Sequence, residues 1–102
     1  MYKTYLITYD PLSTDPTTQK LIEYVRAHAY TYQFYTLNIG SMFIKSAAEA
    51  HQIIDSYKDF MSPSMWTVSK IDDPAVNIGG SAPMPFWHWV NSDNPPPLVG
   101  QI

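Results

Sequence analysis

TYLITYD (residues 4–10) alternates along its length, with Tyr5, Ile7 and Tyr9 on one face and Thr4, Leu6 and Thr8 on the other. That is the two-residue period of a β-strand. Both faces carry bulk, which suits a central strand covered on one side by helices and on the other by a partner or an aromatic surface. The strand then ends on a carboxylate, Asp10, with Pro11 directly behind it. An aspartate in that position can cap the following turn through the next amides, or it can present its oxygens to a metal ion.

Outward from this strand the segment PLSTD breaks the alternation, and Asp15 followed by Pro16 reads as a helix start, a carboxylate for the free amides and a ring at helical φ. Leu21, Ile22, Val25 and Ala29 recur at three- and four-residue intervals and form one apolar stripe. The run YQFYTLNIGSMFIKS reads as a hairpin whose turn lies at Asn38 to Ser41, with Gly40 able to take positive φ. Ser46 and Glu49 match the S-x-x-E capping box, and Ala50, Ile53, Ile54, Tyr57 and Met61 give a second stripe that stops before Pro63. MWTVSKI, ending at Ile71, is a fourth alternating stretch. The order strand, helix, strand, strand, helix, strand predicts an α+β fold. Its expected form is a ferredoxin-like βαββαβ sandwich over residues 1–71, an antiparallel four-stranded sheet with both helices on one face.

Beyond Asp72 the composition changes: six of the nine prolines and three of the four glycines fall in the last 31 residues. This density predicts a largely irregular tail over residues 72–102, packed on the core or on a partner protomer. Within it Phe86, Trp87, His88 and Trp89 form an aromatic knot too apolar to be left in water. In an extended segment Trp87 and Trp89 would project to the same side, and one of them should be largely buried. The knot has three readings: a plug for the chain's own sheet, an anchor for another protein, or a stacking pocket for a base or nucleotide.

The chain is 102 residues long, one domain by size, with 45% hydrophobic, 15% aromatic and only 15% charged residues. A surface so poor in charge and rich in tyrosine suits contact with another protein. The net charge of −3, with Arg26 as the only arginine, provides no basic stripe for phosphates and counts against nucleic-acid binding. There is no cysteine, hence no disulfide frame or thiolate chemistry. No run is long and apolar enough to span a bilayer, and the N-terminus lacks a signal-peptide pattern, so the chain reads as a soluble cytoplasmic protein. His28 and His51 lie in helix patterns without a second ligand at a useful spacing, and His88 has no identifiable partner. No Ser-His-Asp arrangement can be assigned, and the stretch NIGGSA lacks the lysine of a phosphate-binding loop.

An opening strand ending in Tyr9-Asp10, a helix, a hairpin with the third strand GSMFIKS, a second helix and a fourth strand resemble the small subunit of the CRISPR adaptation complex and the VapD-type toxin ribonucleases. The resemblance covers residues 4–71. It implies protomers paired through their sheets and an aspartate at the end of the first strand, matched by Asp10, which serves metal-dependent phosphodiester cleavage where activity exists. Basic residues that often follow that aspartate in the family are replaced here by PLSTDPTTQ. Together with the low charge, the resemblance leads to an expected homodimer with Tyr5, Ile7 and Tyr9 at its interface. The leading functional expectation is a dimeric protein-binding or regulatory module with no enzymatic activity and no cofactor. The alternatives are a magnesium-dependent endoribonuclease or endonuclease using paired Asp10 carboxylates at the dimer axis, and a small-ligand or nucleotide binder using the tail aromatics.

Overall fold

The structure, a computed structural model, describes residues 2–95. Its first six elements are β1 (Lys3–Tyr9), α1 (Thr18–Ala27), β2 (Gln33–Asn38), β3 (Ser41–Ser46), α2 (Ala50–Met61) and β4 (Trp66–Ile71). The four strands form one antiparallel sheet in the order β2-β3-β1-β4. The fold is therefore α+β, and its arrangement is compatible with a ferredoxin-like sandwich.

Alternation in β1 sorts the two faces as its sequence requires. Tyr5, Ile7 and Tyr9 join Met42 and Ile44 of β3, Leu21 and Val25 of α1, and Ile53, Tyr57 and Met61 of α2 in the main core. Two tyrosines bind this layer together through their hydroxyls. Tyr5 Oη donates to Ala48 O at 2.6 Å, and Tyr24 Oη of α1 donates to Ser56 O of α2 at 2.8 Å. Each ring thus buries its apolar body while the hydroxyl at its polar tip finds a backbone carbonyl to donate to.

The hairpin turn lies where the sequence predicts it, and Gly40 takes φ 87°, a conformation that costs a residue with a Cβ. Both main helices start a few residues later than expected. The cap of α1 is Thr17, whose Oγ1 accepts Lys20 N at 3.2 Å, rather than Asp15, whose amide instead donates to Ser13 Oγ at 3.3 Å. The cap of α2 is Glu49, and its amide donates to Gln52 Oε1 at 2.8 Å; Ser46 ends β3 and turns the chain by accepting Ala48 N at 3.0 Å. In both places two cap-forming residues compete within a few positions, and the one nearer the apolar stripe wins.

The expectation of an irregular tail is corrected. Residues 74–77 form a short helix, α3 (Pro74–Asn77), and residues 84–91 form α4 (Met84–Asn91). The prolines mark helix starts here, because a ring in the first turn removes only an amide that would have had no partner. Pro74 and Pro85 each occupy that first turn. α4 lies on the face of the sheet opposite α1 and α2, where Phe86, Trp89 and Val90 pack with Phe43 against Leu6, Tyr35 and Leu37. The part of the tail sequence at 96–102 lies outside the described residues.

Candidate functional site

Asp10 sits where β1 stops, and its surroundings answer why a strand ends on a carboxylate. Its Oδ1 accepts Leu12 N at 2.9 Å, its carbonyl accepts Ser13 N at 3.1 Å, and its amide donates to Met65 O at 3.3 Å. The side chain imitates a backbone carbonyl and closes the turn that Pro11 begins. A hard divalent cation needs several oxygen donors in one place. Among the described residues no three His, Cys, Asp or Glu side chains group as such a donor set. One carboxylate already engaged by an amide does not fit a resident magnesium ion on this chain.

Three connections meet at this end of the sheet: the loop after β1, the β2–β3 turn and the loop before β4. Tyr9 N donates to Gly40 O at 2.9 Å, which ties the first two together, and Tyr9 pairs with Trp66 at the start of β4. Each connection carries one large apolar side chain into solvent: Leu12 is 86% exposed, Ile39 87% and Met65 76%. Single exposed apolar residues are ordinary, but three grouped on neighbouring loops are not. They escape sequence reading because loop residues carry no period. The available signal was an isoleucine at a hairpin tip, a position that normally favours Asn, Asp or Gly.

The residues expected at a dimer interface lie elsewhere. Tyr5, Ile7 and Tyr9 are buried beneath α1 and α2, so their side chains are not available to a second protomer. Parity explains the reversal: both faces of β1 are bulky, and the tyrosine face is the one that meets the helix stripes.

The aromatic knot is divided by its helix. Residues two apart on an α-helix point about 200° apart, so Trp87 and Trp89 do not share a side. Trp89 is only 2% exposed and Phe86 is likewise buried. Trp87 is half-buried with its Nε1 donating to Ala82 O at 3.1 Å, and His88 faces solvent. Phe86 meets Phe43 and Tyr35 with ring centroids 5.1 and 5.4 Å apart. Of the other histidines, His51 is exposed on α2. His28 follows α1 and accepts Tyr30 N at Nδ1 (3.1 Å), and burial lowers its pKa.

Beneath α4 lies a polar group that the sequence reading did not single out. Lys45 is 2% exposed, and its Nζ donates to Thr4 Oγ1 and to Val90 O, both at 2.7 Å, while lying 5.4 Å from the centroid of the Trp89 ring. Beside it Trp89 Nε1 donates to Gln33 Oε1 at 3.0 Å, and Gln33 Nε2 donates to Pro95 O at 2.6 Å. The ammonium occupies the C-terminal end of α4, where helix carbonyls lack internal partners and the dipole is negative. Burial nevertheless lowers the Lys45 pKa from 10.5 to about 8, a drop only partly opposed by Asp93.

Comparison of the chain with protein-family models, with curated proteins and with solved structures returned no match.

Proposed function

We propose that this chain is a small protein-binding module whose contact surface is the end of the sheet at Asp10, rather than the tail. The observation that carries this reading is that Leu12, Ile39 and Met65 are each more than three-quarters exposed on three loops at one end of the sheet, with Leu12 and Met65 lining a common groove. Exposed apolar groups of this kind gain when a partner removes them from water. The βαββαβ order and the strand sequence β2-β3-β1-β4 support a ferredoxin-like reading of the scaffold that positions these loops.

The other expectations have weaker support. Pairing of two protomers through the sheets must use the face that α4 already covers over β2 and β3. What remains is the strip over β1 and β4 that carries Thr8, Thr67 and Ser69. Two strands about 4.8 Å apart and about 20 Å long give a footprint of roughly 200 Å², against about 800 Å² per partner in a standard interface. A nucleotide sandwiched by Trp87 and Trp89 has no common wall to stack on. The nuclease reading keeps only Asp10, whose carboxylate has the turn-closing role described above.

The test is affinity capture from an extract with the wild-type chain and with Leu12→Ser/Ile39→Ser/Met65→Ser side by side. These exposed positions are each expected to change stability by no more than about 0.5 kcal/mol. The triple variant should melt with the wild type and lose the proteins that the wild type retains. Retention of the same proteins by the variant would contradict the proposal.

A further inference from the structure

Two shallow grooves cross the end of the sheet and meet at Asp10 and Met65. One continues over Pro11 and Trp66 towards the start of β4, and the other runs past Leu12 and Pro63 to Asp15. The groove over Pro11, Met65 and Trp66 is largely apolar, the one past Leu12 and Pro63 is mixed, with Ser13, Thr14 and Ser64 in its wall, and both charged side chains that line the two are carboxylates. An occupant that matches this surface must therefore supply apolar side chains for the walls and positive charge for Asp10 and Asp15.

We propose that the joined grooves bind an extended peptide segment of a partner protein in which Lys or Arg is flanked by large apolar residues. This inference rests on the protein-contact reading above and specifies the partner's chemistry. Asp10 retains acceptor capacity for a cation, because a carboxylate has two oxygens and the turn uses Oδ1 for a single amide. Partly enclosed by apolar side chains, such a pair is screened less by water and salt than one on an open surface. A second copy of this chain is a poor complement: its six basic residues, at positions 3, 20, 26, 45, 58 and 70, stand singly against nine acidic ones, and Lys45 is buried. A nucleic acid would bring phosphates to two carboxylates, with the wrong sign of charge.

Panning the full chain against a random-peptide display library, followed by fluorescence anisotropy of the enriched peptides, tests the inference. The enriched sequences should carry Lys or Arg beside Leu, Ile, Met or an aromatic residue, and their binding should weaken as salt is raised. Asp10→Asn/Asp15→Asn keeps at residue 10 a side-chain oxygen that can close the turn and replaces each carboxylate with a neutral amide, so it should fold normally while losing about three- to tenfold in affinity. Leu12→Ser/Met65→Ser should weaken binding independently of salt. Enrichment of neutral or acidic peptides, affinity unchanged in the double Asn variant, or no enrichment at all would each overturn the inference. Peptides that need Leu12 and Met65 but ignore both carboxylates would sink the basic-segment inference alone, leaving the apolar contact surface standing.

Discussion

Trp89→Ala should unfold this protein at a temperature roughly 15 °C or more below the wild type, while Trp87→Ala should lower it by only a few degrees. Trp89 is 2% exposed between α4 and the sheet, packs with Phe86 and Phe43, and donates its Nε1 proton to Gln33. Truncating a buried Trp costs about 3–5 kcal/mol, a large share of the stability of a domain this size. Each kcal/mol corresponds to about 4–8 °C near 100 residues. The substitution also leaves Gln33 Oε1 buried without its donor, which adds to the cost. Trp87 is half-buried and loses one hydrogen bond to a backbone carbonyl, worth about 1 kcal/mol. Thermal unfolding followed by circular dichroism distinguishes the two variants. Equal shifts would mean that α4 does not present its two tryptophans to different surroundings.

Wild-type stability should rise with pH between about 8 and 10, and Lys45→Met should remove most of that rise. The Lys45 amine has a pKa of about 8 in the folded chain, against 10.5 for an ordinary lysine. Between those values the unfolded chain holds a proton that the folded chain has released, so the equilibrium moves towards the folded state as pH increases. The penalty is fully present below pH 8 and fades as pH approaches 10.5. With about 1.4 kcal/mol per decade, the gain from pH 7 to pH 9.5 is about 2 kcal/mol. Tyrosines impose the opposite slope at higher pH. Burial pushes the Tyr57 hydroxyl up to about 12 and also raises Tyr5 and Tyr24, so the unfolded chain loses these protons first and stability falls above about pH 10. At pH 7 the Met variant should be close to the wild type, because it removes a buried charge but leaves Val90 O without a donor. Urea unfolding at the two pH values measures the difference, and parallel curves for wild type and variant would show that Lys45 is not titrating in this range.

What could be read from the sequence follows the physics that writes a period into it. The strands around Ile7, Ile44 and Val68 and the stripes through Val25 and Ile53 were legible because each element buries one face against a common core. Gly40 was legible because the hairpin turn needs positive φ. α4 was not, because its prolines read as helix breakers until their place in the first turn is known. Lys45 was hidden by its own strand: alternating with Met42 and Ile44, it looks like an ordinary outward-facing residue, and only α4 makes that side an interior. The assignment of Tyr5, Ile7 and Tyr9 failed at the same point, since a strand bulky on both faces does not say which face meets the helices. Asp10 was visible as a strand end, whereas the loops that carry Leu12, Ile39 and Met65 reach one end of the sheet only through the register of β1, β3 and β4.

The claim on which the rest depends is that the tail completes the fold and leaves the end of the sheet as the free surface. Amide hydrogen exchange on the unbound wild-type chain measures this directly. The amides of α4 that are bonded within the helix should exchange slowly and together with those of β1 and β3, while the exposed turn at residues 38–41 and the loop at 10–15 exchange early. Exchange of α4 as fast as those loops, with β1 and β3 still protected, would show that the tail is not part of the folded unit and would contradict the account.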